Sequence, residues 1–158
     1  MTTLQHCLIV FLVSMVPLIE LRGAIPYGVM FGLPLWLTFL IAIVGNMLPV
    51  PIIFFFARRV LEWGADKPLI GKIFTFFLEK GEKAGKALTK KAGRGGLFIA
   101  LMLFVGIPLP GTGAWTGALG ASFLDMGIKS TTLAVCLGVI LAGGIMGLAS
   151  VGVFGILF

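Results

Sequence analysis

Charge is what this chain has least of. Among 158 residues there are six Asp and Glu, one His and two Cys, and charged residues make up 11% of the sequence. A single histidine, His6, and two cysteines, Cys7 and Cys136, with no CxxC spacing cannot assemble a metal centre of the His and Cys type. Both cysteines sit in apolar runs and read as small packing residues. Nor is there a nucleophile beside a base, or a nucleotide fingerprint. GEKAGK at 81–86 has one residue too few between its glycines for a phosphate loop, and Ala87 stands where Ser or Thr is required. The expectation is a protein that is not an enzyme and carries no cofactor and no metal. Scarce charge also excludes an ordinary soluble globule: 59% of residues are hydrophobic and the mean hydropathy is +1.14. Residues 23–57, 95–124 and 130–158 carry no charge, and uncharged stretches of about 20 residues or more are the mark of membrane spans. An all-α integral membrane protein of one domain, 1–158, is expected.

The few charges present are unevenly placed. Ten of the twelve Lys and Arg lie between Arg58 and Arg94; only Arg22 and Lys129 fall outside. Basic loops are retained on the cytoplasmic side during insertion. Segment 58–94 is therefore expected to be cytoplasmic, in a multi-pass protein of the cell inner (plasma) membrane, touching anionic lipid headgroups. Nucleic acid is not an expected partner. Residues 1–19 lack a positive n-region, and Pro17–Glu20 is a poor cleavage site, so this segment reads as retained.

Proline and glycine divide the apolar text. Leu4–Ile19 is short for a crossing and ends at Pro17; a break through Glu20–Pro26 leads to a second arm, Tyr27–Phe31. Pro34 opens a run to about Phe56, interrupted at Gly45-Asn46 and at Pro49 and Pro51 and closed by Arg58 and Arg59. Asp66, Lys67 and Pro68 suggest a helix start. Ile70, Phe74, Phe77, Ala84 and Leu88 fall near helical spacing, with Glu79–Lys83 and Glu82–Lys86 as i,i+4 pairs. This reads either as an amphipathic helix on the cytoplasmic interface or as a connector touching the core. The plan then recurs: arm Gly96–Pro108, break Leu109–Gly113, arm Ala114–Phe123 and span Thr131–Phe158. Gly143 and Gly147, and Gly113, Gly117 and Ala121, are spaced for close helix packing within the chain.

The recurrence extends to sequence. ELRGAIPYGVMFG (20–32) aligns without gaps on PLPGTGAWTGALG (108–120), matching Leu21 with Leu109, Gly23 with Gly111 and Gly32 with Gly120, with Tyr27 opposite Trp115. Broken backbone at membrane depth is tolerated only inside protein or against a wet cavity, and paired interruptions in two halves point to a transporter's binding site. The expected architecture is an inverted repeat. Each half is a re-entrant helical hairpin plus a transmembrane helix (about 4–60 and 95–158), and a cytoplasmic amphipathic helix (about 61–94) joins them. Both termini would then lie outside. Four simple crossings would place both inside instead.

Of the six acids, Glu62, Asp66, Glu79 and Glu82 belong to the polar middle, and Asp125 sits with Lys129 in a polar turn. Glu20 is left, flanked by apolar text and two residues from Arg22. Ionisable groups in a membrane mark ion or substrate paths. In broken backbone the two can pair; on a regular helix their spacing splays them apart. Desolvation favours a neutral Glu20 and Arg22 favours a charged one, so a proton or other ion is an expected partner. Otherwise the pair anchors a turn at the membrane edge. Arg22 suits a phosphate or carboxylate. The 108–113 loop offers amides, carbonyls and the Thr112 hydroxyl, with Trp115 and Tyr27 as aromatic walls. Asn46 can hydrogen-bond to either loop, and serves equally well in ordinary interhelical packing.

At ELRGAIP (20–26), GNMLPVP (45–51) and PLPGTGAW (108–115) the chain resembles the small multidrug export family, a distant relative of the DedA, or VTT-domain, membrane proteins. The resemblance spans essentially the whole chain. It implies two re-entrant loops meeting at mid-membrane and a transport role of the proton-coupled export kind; DedA relatives move lipid carriers such as undecaprenyl phosphate. It marks Glu20, Arg22, Gly23, Pro26, Gly45, Asn46, Pro108, Pro110, Gly111 and Gly113. Phe54 and Arg58 fit the aromatic-x-x-x-Arg spacing of DedA proteins loosely, and PLPGTG lacks the second acid many of them carry, which argues against a two-carboxylate mechanism. The leading expectation is thus a small secondary transporter for an anionic or amphiphilic molecule, with Glu20, Arg22, Asn46, Thr112, Trp115 and the loop residues as its site. The others are a DedA-like translocase of an isoprenoid phosphate and a structural membrane protein without transport. So short a chain scarcely encloses a wide path, and a homo-oligomer is expected.

Overall fold

Seven α-helices make up the fold, and no strand occurs among the described residues. The computed structural model describes residues 2–157, without the side chains of residues 77, 81, 84, 85, 88 and 154–157. In order, the helices are α1 (Thr3–Met15), α2 (Glu20–Met30), α3 (Leu35–Met47), α4 (Pro49–Ala65), α5 (Gly71–Gly106), α6 (Ala114–Phe123) and α7 (Ile128–Leu157).

Helix α1 stops where proline dictates. Val16 precedes Pro17, is denied the helical region by its ring, and is extended at ψ 128°. The chain turns through residues 16–19 and resumes helix at Glu20. The expected break through Glu20–Pro26 therefore lies upstream, and Pro26 sits inside α2. A proline one and a half turns into a helix removes a single amide bond, to the carbonyl four residues back. Leu18 and Glu20 adopt left-handed backbone, φ 73° and 51°, which costs a non-glycine residue about 1–2 kcal/mol. Such strain persists only where surrounding contacts over-determine it.

Helices α3 and α4 meet at Leu48, which caps both, with Pro49 opening α4. Together Leu35–Ala65 form one apolar run long enough to span a membrane; Ile128–Val153 of α7 is the other. Arg58 and Arg59 do not close the helix, which continues to Ala65. Asp66 is its C-cap and not the start of the next. The expected helix start is displaced to Gly71, where α5 begins and runs without a chain break into the arm that starts the second half. Phe74 lies against Gly64 of α4, its ring within 3 Å of where a Cβ would stand. The connector thus rests on the protein at this end. The anticipated apolar positions Phe77, Ala84 and Leu88 lie outside the described side chains.

The core is built from small and branched residues: Val10, Leu21, Ala24, Ile25, Val50, Val105, Ala114, Ala118, Val135 and Val139 are all essentially sealed from solvent. Around it the surface is apolar: Leu40, Val44, Ile52, Phe55 and Phe56 on α3 and α4, and Leu133, Leu137, Ile140, Ile145 and Leu148 on α7, are exposed. In water such a belt would drive aggregation; against hydrocarbon it costs nothing. Contacts follow a reciprocal plan. Helix α1 packs on α2 and α3, α5 packs on α6 and α7, and the short helices cross over, α2 onto α7 and α6 onto α4.

Candidate functional site

The crossing-over of α2 and α6 brings the two Pro/Gly segments together. Glu20, the first residue of α2, is only 5% exposed, and its carboxylate reaches the start of α6. The backbone N–H of Ala114 donates to Oε2 at 3.2 Å and that of Trp115 to Oε1 at 3.1 Å. The first amides of a helix have no intrahelical acceptor, and the helix dipole favours negative charge there. Glu20 thus acts as an N-terminal cap delivered from 94 residues away. Gly113 makes the approach possible. Its backbone is extended, so its role is space and not dihedral freedom: a Cβ there would collide with the Glu20 carboxylate.

Arg22 does the complementary work at the other end of the same loop. Its Nη2 donates to Thr112 Oγ1 at 2.7 Å and to the carbonyl of Ile107 at 3.4 Å, and its Nη1 donates to the carbonyl of Leu109. Ile107 is the C-cap of α5. A cation therefore sits at a helix C-terminus and an anion at a helix N-terminus, both in the favourable sense. The Thr112 hydroxyl is placed to donate to the Ile107 carbonyl at 2.8 Å, closing the loop on itself. Glu20 and Arg22 form no ion pair with one another: as the first and third residues of a helix they point to different sides, and each finds the loop instead.

The anticipated aromatic walls are used differently. Trp115 Nε1 donates to the carbonyl of Met15 at 3.1 Å, pinning the end of α1, and Tyr27 is half exposed and tilted against Phe31. His6 stacks on Phe31 at 4.4 Å. Gly23 packs under Ile19, Gly45 against Ser14 and the Phe11 carbonyl, and Pro26 is half-buried within α2. Pro110 and Gly111 are exposed at the loop's tip, Gly111 with φ 81°, and Pro108 is half-buried.

Between the halves lies a cavity of about 10 Å³ lined by Glu20, Leu21, Arg22, Asn46, Val105, Gly113, Ala114, Val139 and Ala142. That is the lower limit for one water molecule and far below the size of an organic ligand. Asn46 is 2% exposed, and its Oδ1 has no hydrogen-bond donor among the described residues. The expected bond from Asn46 to a loop is not made. An unfilled acceptor beside a buried carboxylate is the site's least settled feature, since an unpaired buried polar atom costs about 1–3 kcal/mol.

A second link between the halves was not legible. Arg58 of α4 binds Asp125, in the turn before α7, through Nη1, and Glu62 through Nε at 3.1 Å. Asp125, expected to serve a local turn with Lys129, thus reaches across 67 residues. Nothing local to either residue signals the pairing.

The near-repeat does not keep its register. The gapless alignment has an offset of 88, whereas α2 begins at Glu20 and α6 at Ala114, so the two helices do not start at aligned positions.

With this geometry in hand, comparison with known proteins is informative. Residues 20–145 match the family model described as "Putative small multi-drug export protein". No curated protein and no solved structure matches the chain.

Proposed function

The chain belongs to the small multidrug export family, and from that premise we propose that it is a small secondary transporter of an anionic or amphiphilic molecule, driven by a proton that binds at Glu20. The observation that carries this reading is the carboxylate's position. Glu20 is the buried link between the two halves, and it shares its cavity with an amide oxygen that lacks a donor. A charged Glu20 holds the start of α6 through two N–H bonds. A protonated Glu20 accepts less well, and gains an O–H that can be donated to Asn46 Oδ1. Protonation therefore exchanges a bond between halves for a bond to α3 and loosens the start of α6, leaving Arg22 as the remaining hold on the 107–113 loop. With the cavity near water size, the arrangement described is the closed one, and Arg22 and the loop amides meet substrate when the loop parts.

The repeat belongs to the same proposal. Helix lengths recur: α1 has 13 residues, α2 has 11 and α6 has 10, against a hydrocarbon core that takes about 20 helical residues to cross. In this reading each half opens on a re-entrant hairpin, α1 with α2 (3–30) in one and the part of α5 beyond the Gly93 kink with α6 (94–123) in the other, followed by one span. The halves insert with opposite topology, and 71–92 lies on the cytoplasmic face. In this reading the chain works as a homo-oligomer.

An apolar groove favours a second reading. Between α4 and α6, a cavity of about 310 Å³ is lined by Ile53, Phe56, Ala57, Trp115, Leu119 and Phe123, among others. It would take an isoprenoid or acyl chain, as a DedA-like lipid translocase requires.

Proton flux into vesicles containing the protein, with and without candidate amphiphiles, tests both. Substrate-dependent flux lost in Glu20→Gln, with the protein still folded, supports the coupled transporter. Flux that appears only with a polyprenyl phosphate supports the translocase. A folded Glu20→Gln protein with undiminished flux, or a variant whose only defect is unfolding, leaves Glu20 an anchor.

A further inference from the structure

A large cavity lies away from the Glu20 site. It measures about 790 Å³ and is lined by Lys86, Lys90 and Arg94 of α5, and by Asp125, Lys129 and Ser130 around the start of α7. Lys86 and Lys90, four apart on α5, share one face of the helix, and Arg94, just past the kink at Gly93, lines the same groove. Gly93 shapes the groove: at φ 72° and ψ 173° it is non-helical, and it kinks α5 between the charged stretch and the apolar arm. A side chain would be strained there by the left-handed backbone, although it would meet no neighbour.

Charge in this groove is left over. Lys86 has Glu82 at 4.0 Å, Asp125 is taken by Arg58, and Lys90, Arg94 and Lys129 have no acidic partner among the described residues. A second cavity, about 590 Å³ between α4 and α5, differs in composition: its lining has two cations, Lys67 and Lys72, and two acids, Asp66 and Glu79, whereas the first groove has four cations, Lys86, Lys90, Arg94 and Lys129, and two acids, Glu82 and Asp125. The first groove also contains the opening turn of α7, whose early amides lack intrahelical acceptors and suit an anion. Beneath the cations lie Leu97 and Leu124. The groove therefore sits where α5 changes from charged to uncharged sequence and where the apolar span of α7 begins. That is the boundary between water and hydrocarbon.

We propose that this groove binds the phosphate headgroup of an anionic phospholipid, with Lys90, Arg94 and Lys129 on the phosphate and the leucines under the first acyl carbons. A soluble phosphate would use the cations alone; a lipid uses both layers. The site is independent of the transport reading, because none of its residues lines the Glu20 cavity.

The test is lipid retention by the intact protein in neutral detergent, measured by native mass spectrometry with phosphatidylglycerol, phosphatidylcholine of the same chains, and glycerol phosphate. Phosphatidylglycerol is expected to bind most tightly. Each cation near a membrane surface accounts for about a fivefold effect, so K90Q/R94Q/K129Q is expected to lose about a hundredfold and R94Q alone about fivefold. K67Q/K72Q/K80Q removes equal charge elsewhere and is expected to change affinity by less than about twofold. Melting temperature identifies any variant that fails to fold, in which case R94Q and its rescue by R94K carry the test. Equal losses in the two triple variants, no preference over phosphatidylcholine, or glycerol phosphate binding as tightly as the lipid would each overturn the proposal.

Discussion

Of the charged contacts that join the halves of this molecule, two are built to opposite specifications. At the centre, Glu20 is sealed and bonds to backbone amides that have no other partner. At the rim, Arg58 and Asp125 are 43% and 54% exposed. Water can replace the rim contact on either side, so such pairs contribute about 0–1 kcal/mol. No water-filled space of useful size stands ready to replace the central one. The difference teaches that a contact's place, and not its chemistry, decides what breaking it does. The central contact can act as a switch because losing it is costly, and the rim contact only orients.

The largest effect is expected when the central contact is removed outright. Glu20→Ala strands two buried amides and is expected to cost about 3 kcal/mol, read as a drop in melting temperature in detergent; an unchanged melting curve would break the comparison at its root. Gly113→Ala pushes a methyl group into the carboxylate and is expected to cost about 1–3 kcal/mol. Combined with Glu20→Ala it should cost much less than the sum of the two, a non-additivity that a double-mutant cycle measures. Arg22→Lys keeps the charge but loses the fork that grips Leu109, Ile107 and Thr112. A loss of about 1–2 kcal/mol is expected, and a fully tolerated substitution would show that charge alone seats the loop. Arg58→Ala should be the mildest, about 0.5 kcal/mol at low salt and less at 1 M, where screening reaches within about 3 Å. A salt-independent loss as large as that of Glu20→Ala would mean the rim is no weaker than the centre.

Much of the fold could be read from residue order. Pro17 and the 107–113 loop announce the interruptions, uncharged runs announce two helices long and apolar enough to span, and Ala114–Phe123 is a helix with the bounds expected. The errors were local and have local reasons. Pro26 reads as a breaker, yet α2 accommodates it early in the helix, and the true break is the strained turn at 16–19. Asp-Lys-Pro suits a helix start, but Asp66 also suits the end of α4. Glu20 and Arg22 stood out because a lone acid in apolar text is conspicuous, while Asp125 did not, since a nearby Lys129 supplied it with an innocent partner. For Asn46 the sequence offers a bond to a loop or plain packing; only tertiary structure reveals that it lines the Glu20 cavity with an acceptor that lacks a donor.

Composition and spacing alone determined that this chain is helical, apolar outside and interrupted twice, because hydrocarbon accepts no exposed backbone and no unpaired charge. Which groups meet across those interruptions was decided only by tertiary structure. The carboxylate's partners are backbone amides, identical in every residue and therefore invisible in a sequence, and they become a binding site only when α6 begins beside α2.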